Sequence, residues 1–151
     1  MAPELEFVFE LLAEVAPPIE LGETPAGMRR IVPILSGSFE GPEIRGTILS
    51  GGADWQVVRT DGVSELHAQY MLATDDGVPI LARIRGLRHG KGDALKRIAA
   101  GEIVDPSEYY FRTSPVFEAP AGRYAWLNRS IFVAVGERTA AAVRVRTYRV
   151  L

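Results

Sequence analysis

Residues 51–77 read GGADWQVVRTDGVSELHAQYMLATDDG, and the spacing of the turn residues in this stretch decides the fold class. Gly51-Gly52, Asp61-Gly62 and Asp76-Gly77 each supply a pair that tolerates positive φ, as tight two-residue hairpin loops require. Between them Ser64–Thr74 alternates, with Leu66, Ala68, Tyr70 and Leu72 on one face and Glu65, His67, Gln69 and Met71 on the other. A repeat of two is the signature of a strand with one buried face, so the stretch is predicted to be an antiparallel meander.

The same reading extends outward. Leu5–Val15 places Leu5, Phe7, Phe9, Leu11, Ala13 and Val15 on odd positions and its glutamates on even ones. Pro17-Pro18 ends that strand, and a loop through Gly22, Pro25 and Gly27 leads to a strand near Met28–Phe39. Pro33 inside that run lacks an N–H and predicts a sheet edge or a bulge. Ile44–Leu49, Asp54–Arg59, Val78–Leu87, Tyr109–Glu118, Ser130–Arg138 and Ala142–Val150 bring the count to about nine strands. One helix is predicted, over Asp93–Ala100, with Asp93 as N-cap and Gly101 as the stop. Many short strands and one minor helix give an all-β class, a single antiparallel β-barrel of eight to ten strands over residues 1–151.

Composition narrows the setting. A chain of 151 residues suits one domain that buries roughly two thirds of its unfolded surface. Net charge is -2 with no long run of like charge, which argues against a nucleic-acid partner. There are no cysteines, so disulfides, thiolate catalysis and cysteine-bound zinc are excluded, and the expected location is cytoplasmic. Met1–Val15 carries four glutamates and neither a basic leader nor a long apolar run, so no membrane association is expected. Fifteen of the seventeen basic residues are arginine, which reads either as bidentate contacts or as the codon bias of the source.

The motifs GGADW at 51–55, TDDG at 74–77, RIRGLR at 83–88, YYFRTSPVFE at 109–118 and YAWLNRSIFVAVG at 124–136 occur in order and resemble the DUF3237 family, also called UPF0311. The resemblance runs from about Phe7 to the C-terminus. It implies a small barrel similar in outline to calycins, in proteins mostly of unknown function found in bacteria and fungi. It carries over no agreed catalytic set.

Candidate chemistry therefore rests on individual residues. Asp54 and Trp55 follow two glycines, near a barrel end where ligands commonly bind. Asp54 either moves protons or caps the turn, and Trp55 either contacts a ligand or fills the core. Glu65 is a second candidate acid. Arg112 alternates with Tyr110 and Ser114 against Tyr109, Phe111 and Thr113. Facing inward it would grip a carboxylate, enolate or phosphate, and facing outward it would serve as a salt-bridge partner. Asn128, in the aromatic stretch with Tyr124 and Trp126, suits an oxyanion site or a turn bonded to its own backbone. Tyr70, Tyr110, Tyr124 and Trp126 complete the candidate ligand contacts.

His67 and His89 are the only histidines and no ligand spacing joins them, so no metal and no cofactor are expected. GLRHGKG at 86–92 lacks the arrangement of a phosphate loop, and no G-x-S-x-G occurs. Two functions follow. One is a small-molecule-binding barrel with metal-free lyase, isomerase or cyclase chemistry on an activated carbonyl compound. The other is a non-catalytic carrier or interaction module. The expected ligand is a small apolar or carboxylate- or carbonyl-containing molecule, and a homodimer is expected from incomplete closure at the Pro33 strand.

Overall fold

The computed structural model describes residues 1–139 and 142–151. Its elements are β1 (Leu5–Val15), β2 (Ile19–Thr24), β3 (Gly27–Glu40), β4 (Arg45–Ile48), β5 (Ala53–Val58), β6 (Ser64–Thr74), β7 (Pro79–Gly90), α1 (Ala94–Ala99), β8 (Tyr109–Glu118), β9 (Ile131–Arg138) and β10 (Ala142–Val150). Every strand pairing is antiparallel, in the order β1-β10-β9-β8-β7-β6-β4-β3, and β1 also pairs with β3, which closes an eight-position barrel. The expected all-β barrel with one short helix is the observed architecture.

Two barrel positions are filled by collinear pieces. β4 pairs with Gly37–Glu40 of β3 and β5 with Met28–Pro33 of the same strand, so the chain keeps its direction through residues 49–52. Gly51-Gly52 is therefore no hairpin, contrary to the sequence reading. Gly51 takes φ +104°, and a Cβ on Gly52 would lie 2.6 Å from the Gln69 carbonyl oxygen. The glycines let the strand kink while staying against β6. Asp61-Gly62 and Asp76-Gly77 are hairpins, but only the glycine of each pair has positive φ, and Gly62 and Gly77 donate N–H bonds back to Arg59 and Thr74. That is a type I turn closed by a left-handed glycine rather than a two-residue loop.

β1 and β2 form the other broken position. β2 is a strand where the sequence predicts a loop, because Pro17-Pro18 precedes it and Gly22 interrupts its alternation. It pairs with β3 alone, at Ile19↔Ile31 through Thr24↔Gly27. The free edge thus belongs to β2, while Pro33 sits inside β3 where the neighbouring position is broken. Its carbonyl accepts from the Ala16 N–H, and the β1–β3 register shifts beside it. An N–H is not needed there.

Alternation fills the interior from both ends. At one end Phe9, Phe39, Leu72, Ile80, Phe117 and Phe132 are buried, with the Phe9–Phe39 and Phe117–Phe132 rings 5.3 and 5.1 Å apart. Tyr124 and Leu127, beside and within the 3-10 turn Ala125–Arg129, close this end. A smaller cluster at the other end packs Leu66, Tyr109 and Phe111 against Ala94 of α1 and Val104. No helix among the described residues is long and apolar enough to cross a membrane.

Candidate functional site

Charged side chains enter the barrel beside the smaller cluster. Asp54 and Gln56 share the inward face of β5, since Asp54 lies opposite Ala68 on the apolar face of β6, and cross-strand partners point the same way. Arg30 and Val32 of β3 pair with Gln56 and Asp54 and so point inward too. On β7 the inward positions Ile80, Ala82 and Ile84 continue as Gly86 and Arg88. On β9 Phe132, Ala134 and Gly136 continue as Arg138. One carboxylate, one amide and three guanidinium groups therefore meet inside the wall.

Gln56 organises them. Its Nε2 donates to Asp54 Oδ2 at 2.7 Å, while its Oε1 accepts from Arg30 Nε at 2.6 Å and from Arg88 Nη2 at 3.5 Å. The other Asp54 oxygen accepts the His67 backbone N–H at 3.0 Å, where the β5–β6 ladder skips from Asp54↔Ala68 to Val57↔Glu65. Asp54 thus occupies a local gap in its own sheet. Arg88 is 7% exposed, its guanidinium carbon 5.6 Å from the Phe111 ring centroid, and among the described residues its Nε has no hydrogen-bond partner. The buried Thr113 hydroxyl is likewise unpartnered. Gly86, paired with Thr113, leaves room for the Thr113 side chain, because a Cβ there would lie 2.5 Å from the Thr113 methyl.

Burial sets the electrostatics. It raises the Asp54 pKa above the usual carboxylate value, against the lowering influence of Gln56, Arg88, the His67 N–H and Arg30. Burial first, and then Arg30, push the Arg88 guanidinium down to about 10. Arg138 is lowered by the same two causes. The Tyr70 phenol is held above its ordinary value by burial and by the Asp54 charge. Arg30, Asp54, Tyr70 and Arg138 are partly exposed while Gln56 and Arg88 are buried, so the cluster runs from a partly exposed rim to a buried floor. A developing or permanent negative charge is what such a site holds best.

Of the sequence-predicted residues, Asp54 and Tyr70 lie together here. The others do not join them. Glu65 is on the outer face of β6, with its carboxylate 3.7 Å from Arg59. Arg112 also points outward, because the buried alternation of β8 runs through Tyr109, Phe111, Thr113, Pro115 and Phe117. Its guanidinium lies over the exposed Tyr110 ring, which stacks on His89 at 4.9 Å, and it donates to the Phe111 carbonyl. Trp55 is outward and 42% exposed. Tyr124 donates to Asp76 at the closed end, and Trp126 lies there between Phe132 and Arg149. Asn128 bonds the end of β8 rather than its own turn. Its Oδ1 accepts the Ala119 N–H at 2.8 Å and its Nδ2 donates to the Ala119 carbonyl at 2.9 Å.

Arg30, Gln56, Arg88, Thr113 and Arg138 were missed as site residues. Parity would have found most of them, since Arg88 shares the face of Ile80 and Ala82, and Arg30 that of Val32 and Ile34. Two surface clefts of about 290 and 270 Å³ lie elsewhere, one along Glu40, Arg45, Asp75 and Arg123, the other along Glu65, His67 and Arg85. The first is lined by completed ion pairs such as Arg45–Asp75 at 2.6 Å. Among the described residues no group of three or more His, Asp or Glu side chains is placed to hold a metal ion.

This barrel and its sequence are shared. The chain is 39% identical to a UPF0311 protein of Rhodopseudomonas palustris over all of both chains, and 38% identical to one of Clostridium acetobutylicum over 96% of this chain and 92% of that one. A crystal structure of a conserved protein of unknown function from R. palustris superposes with a TM-score of 0.94 at 38% identity, covering 100% of this chain and 99% of the other. A β-barrel-like protein of Acinetobacter baumannii superposes at 0.87 and 39% identity, covering 100% and 98%. The barrel extends further, to a Penicillium herquei protein described as an enzyme, at a TM-score of 0.73 and 19% identity over 100% and 96%. The family described as protein of unknown function (DUF3237) matches residues 3–150, and the chain belongs to that family.

Proposed function

We propose that the barrel binds a small, anion-forming carbonyl compound beside Asp54, Gln56 and Arg88, and performs metal-free acid–base chemistry on it, of the lyase, isomerase or cyclase kind. The observation that carries this reading is the buried Arg88 guanidinium with an unpartnered Nε next to a carboxylate of raised pKa. In the proposed step Asp54 accepts a proton from carbon next to the carbonyl. The C–H electron pair moves into the carbonyl, and the resulting enolate oxygen is held by Arg88 and the Thr113 hydroxyl. Return of the proton to a different atom completes an isomerisation, and departure of a neighbouring group completes an elimination.

The carrier reading has its own support, since Asp54 already accepts from Gln56 and His67 and those bonds suit a structural carboxylate. Solvent exchange separates the two. Phenylacetone incubated in D2O with the protein should take up deuterium at its benzylic carbon, followed by NMR, faster than with Asp54→Asn. Equal rates for the two proteins, with binding retained, select the carrier.

The protein is further proposed to be a homodimer, joined at the unpaired edge of β2, where Ile19 and Leu21 are exposed.

A further inference from the structure

Charge balance inside the barrel carries the reading of this site one step further. Arg30, Arg88 and Arg138 face it with Asp54 as the carboxylate that meets them, so even with Asp54 ionised two positive charges stay uncompensated. Among the described residues none of the three arginines forms an ion pair, whereas seven arginines on the outside of the barrel do, as does Arg149 at the closed end, with Glu6. The groups that bond Arg30, Arg88 and Arg138 are neutral. Gln56 Oε1 accepts from both Arg30 and Arg88, and the Tyr109 hydroxyl takes the Arg138 backbone N–H rather than its side chain. Buried cations persist when a partner arrives to neutralise them.

The arrangement has depth as well as sign. Arg88 is at the floor against Phe111, while Arg30 and Arg138 keep accessible surface nearer the rim. A ligand with one negative group satisfies Arg88 and leaves the rim pair repelling each other. Planar guanidinium groups at two levels suit two carboxylate-like groups on one small skeleton.

We infer that the natural ligand of this interior is a dianion, with one anionic group on Arg88 and the Thr113 hydroxyl and the second between Arg30 and Arg138. The inference rests on the anion-site reading above and narrows it to a substrate class, small molecules with two acidic groups. Three probes of one ring skeleton test it by calorimetric titration at low salt: benzamide, benzoate and isophthalate. Isophthalate should bind about tenfold or more tighter than benzoate, the equivalent of one added charge-assisted bond, and benzoate should bind where benzamide does not. Arg138→Met should remove most of the advantage of isophthalate over benzoate, both measured on the same variant. Equal affinity of wild type for benzoate and isophthalate overturns the dianion and leaves the anion site standing. Failure of both anions to bind overturns the anion site itself, and the dianion with it. Because the first comparison uses wild-type protein, the outcome does not depend on whether Arg138→Met folds.

Discussion

Gln56 donates to Asp54 and accepts from Arg30 at 2.7 and 2.6 Å, so one neutral amide separates the interior carboxylate from the interior cations. Both bonds use the amide in a single orientation, with its oxygen toward the guanidinium groups and its nitrogen toward the acid. The residue is a spacer that stops Asp54 from collapsing into an ion pair with Arg30 and losing its basicity.

Replacing the spacer by its charged isostere tests this. In Gln56→Glu the new carboxylate should pair with Arg30 and Arg88 and repel Asp54, so anion affinity should fall by about tenfold or more, while thermal stability holds or rises. Benzoate titration and a melting curve on the same sample measure both. Unchanged affinity would place the anion site elsewhere.

Arg88→Met should make a more stable protein that no longer binds. The guanidinium is buried with one long hydrogen bond to Gln56, and methionine fills similar volume against Phe111 without a desolvated charge, a gain on the order of 1 kcal/mol. Chemical denaturation reads the sign. A loss of stability would mean that Arg88 is a structural cation.

Asp54→Asn should show a stability difference that depends on pH in a stated direction. The folded-state pKa of Asp54 lies above its ordinary 3.8, so the native chain holds that proton more tightly than the unfolded chain. Wild type therefore carries a stabilising contribution at acid pH that is lost as pH rises through the raised folded value. Asparagine does not titrate. Melting temperatures taken from below pH 3.8 to neutrality should move in favour of Asp54→Asn as pH increases, and an opposite slope would mean that the arginines dominate.

Asn128→Ala should cost on the order of 1 kcal/mol or more without touching anion affinity. Its side chain meets the backbone N–H and carbonyl of Ala119 together, in place of a missing ladder pair. Asn128→Asp should be worse than alanine, because a carboxylate oxygen would replace the donor that faces the Ala119 carbonyl.

Light scattering at micromolar concentration should return twice the 16.5 kDa chain mass. Leu21→Lys on the free edge of β2 should shift it to one chain, since edge lysines oppose strand pairing. A wild-type mass of one chain removes the dimer.

The sequence was legible where alternation had a single solution. Leu66, Ala68, Tyr70 and Leu72 alternate with Glu65, His67, Gln69 and Met71, so β6 was legible as a strand with one apolar face. β8 was not, because its first residues put an aromatic and a polar group on each face, and only the Pro115/Phe117 against Val116/Glu118 contrast breaks the tie. Arg112 was left open for that reason and lies outside. β2 escaped because a strand paired on one side and exposed on both faces has no apolar period to show. Arg88 escaped because an arginine on an apolar face was not followed past Ile84. Both halves of the fold argument came from periodicity, while the site came from places where polar residues break it.

The pairing of β1 with β10, from Leu5↔Val150 to Glu14↔Ala142, bears on the order of assembly. Strands β3 to β9 form a ladder of near neighbours that can zip as the chain emerges from the ribosome. β1 finds β3 early, at Glu10↔Glu40, yet its other side must wait until β10 has been made. During that interval the first strand is a half-built wall whose open flank carries Phe9 and Leu11. Translation speed over the last two strands, rather than the strength of any one contact, would then govern how often newly made chains close on themselves instead of on each other.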